Sequence, residues 1–104
     1  MEQRRIIVTM GSSESGEGFF VPDTRRGEQL ELAENLAGAM RACIERPCER
    51  LYVSILEADP HELTSLSLFR SICPSQYIVA VVDESIRDMV ESLGLANEYV
   101  TLPG

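Results

Sequence analysis

Leu51-Tyr52-Val53-Ser54-Ile55-Leu56, then Asp59-Pro60-His61-Glu62 heading a periodic segment, then Tyr77-Ile78-Val79-Ala80-Val81-Val82, form the core of the chain's pattern. Both hexapeptides are almost uniformly apolar, as strands covered on both faces are. Between them Asp59 is an N-cap, because its carboxylate can accept from exposed backbone N–H groups. Pro60 suits the first helical position, and Glu62 is placed for the return bond of a capping box. The helix predicted from there carries Leu63, Leu66, Phe69 and Ile72 on one face, and Pro74 lies beyond its end. Strand, helix, strand in this sequence is the unit of a parallel sheet with a right-handed crossover.

The same alternation extends in both directions. Asp83-Glu84-Ser85 opens a third helix with acidic groups at the favourable end of its dipole. Ile86, Met89, Val90 and Leu93 make its predicted inner face, and Gly94 followed by Leu95 fits a C′ glycine and its apolar C″ neighbour. Residues 98–102 make a last short strand. Towards the N-terminus, residues 27–46 read as one long amphipathic helix, with Leu30, Ala33, Leu36, Ala37, Met40, Cys43 and Ile44 at steps of three and four. Gly38 inside it points to close packing, and Pro47 ends it. Residues 4–10 read as a strand around Ile6-Ile7-Val8. A Gly/Ser-rich loop over 11–18 joins it to Phe19-Phe20-Val21, most simply as a β-hairpin. The expected architecture is a single α/β domain, 1–104, in the order β-β-α-β-α-β-α-β, with a mainly parallel central sheet and an initial hairpin.

Composition narrows the chemistry. The chain has 104 residues, 44% of them hydrophobic and 25% charged, enough for one core. Its 17 acidic residues outnumber nine basic ones, all Arg, for a net charge of −8. With no Lys there is no Schiff-base, phosphate-loop or general-base lysine. The charge argues against nucleic-acid or polybasic membrane binding. No apolar run is long enough to span a membrane, and Ile6-Ile7-Val8 is too short for a signal-peptide core, so a cytoplasmic location is expected. Cys43, Cys48 and Cys73 match neither a disulfide framework nor a C-x-x-C pair. With His61 they have the ligand count of a Cys₃His zinc site but not its spacing, so buried thiols and no metal are expected.

Other groups could carry chemistry. The 11–18 loop contains Glu14 and Glu17, lacks Lys and does not lead into a helix, so a hairpin tip is favoured over a phosphate cradle. His61 near Glu57, Asp59 and Glu62 could serve as a general base in a small enzyme, but no nucleophile is placed beside it. Those carboxylates follow a strand, where a cation is conceivable, yet Asp59 and Glu62 already have capping roles. No catalytic residue and no cofactor are assigned. Among the hydroxyls, Thr64 and Ser65, near a helix start, are the candidate phosphorylation positions.

The element order, Ile86 through Leu95 and Tyr99-Val100 together resemble the STAS domain of anti-sigma-factor antagonists. Where that family carries Asp-Ser at the start of its second helix, this chain has Glu62 and Leu63, which leaves Thr64 and Ser65 as neighbouring substitutes. The chain also resembles a degenerate receiver domain of response regulators. Tyr52-Val53-Ser54-Ile55-Leu56-Glu57 is similar to its third strand, with Glu57 in place of the phosphoacceptor Asp. Glu98-Tyr99-Val100-Thr101-Leu102-Pro103 is similar to its last strand with Leu102 in place of Lys, and Met10-Gly11 stand where the acidic metal-binding pair is expected. Both resemblances imply a small regulatory module, in signalling or control of transcription, that binds another protein. An anti-sigma factor or kinase-like regulator is the partner implied by the first. His61, Glu62, Leu63 and Leu66 are then the candidate contacts. Phe19–Val21 would be the edge through which copies could pair.

Overall fold

The computed structural model describes residues 4–9, 26–33, 35–46, 48–55 and 59–102. Among these residues are five strands, β1 (Arg4–Thr9), β2 (Glu28–Ala33), β3 (Arg50–Ile55), β4 (Ile78–Asp83) and β5 (Glu98–Leu102). Three helices, α1 (Leu36–Glu45), α2 (Pro60–Ile72) and α3 (Arg87–Ser92), join them, with a 3₁₀ turn over Glu84–Ile86 leading into α3. The strands form one sheet in the order β2-β1-β3-β4-β5, and every neighbouring pair is parallel.

The period of two along the strands explains why they are so apolar. Ile7, Val53, Ile55, Ile78, Ala80 and Val82 belong to the larger core with α1, α2 and α3. The alternate residues Ile6, Val8, Tyr52, Val79 and Val81 form a second buried cluster on the opposite face. All three described helices lie on the first face for a topological reason. The steps β2 to β3, β3 to β4 and β4 to β5 run in one direction across the sheet, so right-handed crossovers must share a face.

The sequence expectation fails at the start of the chain. Residues 28–33, expected in the helix, are strand β2, paired with β1 from Arg4↔Glu28 to Thr9↔Ala33. Leu30 and Ala33 continue the helical spacing of Leu36, but backbone pairing with β1 overrides that local pattern. Asn35 then starts α1 afresh, in an extended conformation, with its side chain accepting the Gly38 N–H at 2.8 Å. Gly38 is exposed, and the contact that an added Cβ would meet is this cap, so it serves no close helix packing. The expected hairpin is also excluded at β1. Both of its edges are taken, by β2 and β3 in parallel, while Phe19–Val21 lies outside the described residues.

Several residues expected on inner helix faces point outwards, among them Ala37 and Ile44 of α1. Ile72, at the last turn of α2, is 65% exposed, and Met89 and Leu93 are also exposed. Val90, buried, and Ile86, half-buried, join the α3 segment to the core. The C-terminal end of α3 is as expected: Gly94 has a φ of +64° and Leu95 is buried.

Candidate functional site

In open parallel sheets a ligand crevice forms outside the carboxyl ends of the strands where the strand order reverses, here between β1 and β3. That point is partly closed by the sheet's own groups. The Ser54 N–H donates to Thr9 Oγ1 at 3.0 Å, and Thr9 is buried. Further along the same edge, Asp59 caps α2 by accepting from the His61 N–H at 2.9 Å, and the Asp83 side chain accepts from the Ser85 N–H at 3.4 Å. Both carboxylates are thus committed to helix starts. The Thr101 hydroxyl is, among the described residues, a buried polar atom without a hydrogen-bond partner.

The expected contact residues at the start of α2 separate into two kinds. His61 and Thr64 are exposed, and Glu62 and Ser65 half-buried. Leu66 is 1% exposed and a core residue, and Leu63 packs against the same core. Leu66 offers no exposed surface, whereas Leu63 is half-buried against the core. The outward apolar residues of α2 are Leu68, 61% exposed, and Ile72 one turn later. The receiver-like positions Met10, Gly11, Glu57 and Pro103 lie outside the described residues, as do Glu14 and Glu17. Leu102 is the last residue of β5. No group of three or more His, Cys, Asp or Glu among the described residues is placed to hold a metal ion. No described helix is long and apolar enough to cross a membrane.

The amino ends of the strands are more densely built. Arg50 binds both carboxylate oxygens of Glu28 at 2.9 Å, donates to the Tyr52 hydroxyl at 2.8 Å and lies 5.5 Å from that ring's centre. Glu28 and Arg50 border an open cleft of about 590 Å³, also lined by Cys48, Glu49, Ser75, Tyr77 and Glu98. On the other face of the sheet, Arg5 grips Glu31 through two bonds of 2.9 and 3.0 Å and reaches the Arg46 carbonyl at the end of α1. A second cleft, of about 320 Å³, is lined by Glu31, Leu32, Ala33, Asn35 and their neighbours. Neither cleft includes His61.

Between these two Arg clusters sit the thiols. Cys43, on the inner face of α1, and Cys48, just past its end, have their Sγ atoms 3.5 Å apart. Gln76 clamps Cys48 from the far side. Its carbonyl oxygen accepts the Cys48 N–H at 3.2 Å, and its amide donates to the Cys48 carbonyl at 3.1 Å and to Cys48 Sγ at 3.3 Å. The hydrogen bond from Cys43 holds the Cys48 thiol below its ordinary range against the cost of burial, helped by Gln76 and Arg5. Cys43, bound to Cys48 and itself buried, is pushed up. The sequence signal for this pair was the five-residue spacing across a helix end. Gln76, an uncharged residue in a turn, gave none.

Comparison with protein-family models, curated proteins and solved structures returns no match to this chain.

Proposed function

We propose that this chain is a regulatory module that acts by binding another protein, built on a receiver-like sheet and working without phosphoryl transfer. The observation that carries the reading is the strand order β2-β1-β3-β4-β5 with all pairings parallel, the order of doubly wound folds such as flavodoxin and the receiver domain. The STAS-like alternative calls for an initial antiparallel hairpin, and both edges of β1 are already occupied. The receiver-like form is therefore preferred. Glu57 and Leu102 replace the acceptor Asp and the Lys of that family, so signalling through fixed contacts follows from the resemblance. An enzyme using His61 is disfavoured, because His61 is exposed and lines neither cleft.

The partner surface in this reading is the outer side of α2, where Leu68 and Ile72 stand one turn apart and exposed. The setting is the bacterial cytoplasm, and the partner is a regulatory protein. An anti-sigma factor or kinase-like regulator as that partner would favour the STAS-like alternative, with Thr64 and Ser65 as its phosphorylation positions. The test is affinity capture from the source organism with the wild-type chain and with a Leu68→Arg/Ile72→Arg variant of unchanged thermal melt. The expected result is a protein retained by the wild type and depleted at least about tenfold by the variant. Equal capture by both removes the α2 surface. Transfer of a phosphoryl group from acetyl phosphate to the chain, read by intact mass, contradicts the phosphorylation-independent reading.

A further inference from the structure

Cys43 on the inner face of α1 and Cys48 just past its end are two thiols that partner binding does not use. We propose that Cys43 and Cys48 form a redox-active dithiol, in which Cys48 attacks a small neutral or cationic disulfide and Cys43 resolves the adduct.

Three observations carry this. First, the two Sγ atoms lie 3.5 Å apart, and a disulfide bond of about 2.05 Å needs only a short approach by Cys48, which sits outside regular secondary structure. Second, the site is built around Cys48. Gln76 is 5% exposed, and three of its hydrogen bonds go to the backbone and sulfur of this one residue. A buried amide spent in this way fixes the sulfur's position. Third, access is unequal. Cys48 lines the open cleft, whereas Cys43 is buried behind it. Cys48, half-buried at the cleft, is therefore the more accessible of the two residues, and the resolving Cys43 is shielded behind it.

The chemistry balances without another reactant. In the resting state the Cys48 thiol donates to the Arg50 carbonyl at 3.3 Å. Loss of that proton to solvent gives a thiolate that accepts from Gln76 and Cys43. The thiolate attacks one sulfur of the external disulfide. The S–S bond breaks, and one small thiolate leaves with the electron pair. Cys43 then gives up its proton and attacks Cys48 Sγ, which expels the second small thiolate. Two protein thiols are oxidised to one disulfide, and one external disulfide is reduced to two thiols. Substrate charge follows from the lining. Arg50 is occupied by Glu28, while Glu49 and Glu98 add negative charge to the cleft, which disfavours an anionic disulfide.

The test treats the reduced full chain with cystamine or with glutathione disulfide, followed by iodoacetamide and trypsin. The Arg46–Pro47 bond resists trypsin, so both thiols stay in the peptide 42–50. The expected product is that peptide short of two hydrogens, with Cys73 still alkylated, formed faster by cystamine than by glutathione disulfide. In Cys43→Ser, a cysteamine adduct accumulates on Cys48. In Cys48→Ser, oxidation of Cys43 slows by about tenfold or more. On the untreated wild type, iodoacetamide labels Cys48 before Cys43, a measurement that needs no variant to fold. A dominant bond to Cys73, labelling of Cys43 first, or glutathione disulfide as the faster oxidant overturns the proposal.

Discussion

Arg5 shows how single residues tie this sheet together. Its guanidinium spans Glu31 on β2 and the Arg46 carbonyl at the end of α1, so one side chain links the edge strand to the helix that follows it. The hydrogen bond from Arg5 holds the Glu31 carboxyl below its ordinary value of 4.5, against partial burial. A lowered folded value means that the pair's contribution is fully present above the unfolded value near 4.5 and is lost as the pH falls through the folded one. Glu31→Gln is therefore expected to flatten part of the acid sensitivity. The drop in urea midpoint between about pH 6 and about pH 3 should be smaller in the variant than in the wild type, and an equal drop would show that the pair does not matter to stability. The effect is modest, since Glu31 keeps solvent contact and exposed pairs are screened.

At the level of elements, the helix ends obey local rules while the helix faces do not. Asp59 and Pro60 start α2 as their chemistry predicts. Gly94 stops α3 with a φ of +64°, where an added Cβ meets open space. Gly94→Ala should thus cost about 1–2 kcal/mol through backbone strain alone, whereas Leu66→Ala should cost about 2–5 kcal/mol through the cavity it leaves. Urea denaturation measures both, and a neutral Gly94→Ala would contradict the cap. The faces were less legible. Leu63, Leu66, Phe69 and Ile72 share a periodic pattern, yet only the first three reach the core. The sequence cannot show where the sheet beneath a helix stops.

For the whole molecule, strand order sets both stability and site. Among the described residues β1, β3 and β4 are paired on both edges, whereas β2 and β5 each have a single partner. Amide exchange should be slowest at Ile7, Val53 and Ala80 and faster along β2 and β5. Comparable protection across all five strands would argue for an unseen partner on the edges, such as a second copy. The same order leads the chain through the amino ends of β3 and β4, where Cys48 and Gln76 meet. Residues 28 positions apart come together only because β3 and β4 are neighbours.

The sequence by itself determined what is local: the two buried hexapeptides, the Asp59 cap, the Gly94 stop, and the parallel α/β class that strand–helix alternation implies. Each depends on residues within a turn or two of one another. Tertiary structure alone decided that 28–33 pair with β1 and do not join α1. It also decided that Leu66 is core and Leu68 surface, and that Gln76 holds Cys48. Those outcomes depend on which strand lies beside which, and backbone pairing across the sheet outweighs the weaker helical spacing of Leu30, Ala33 and Leu36.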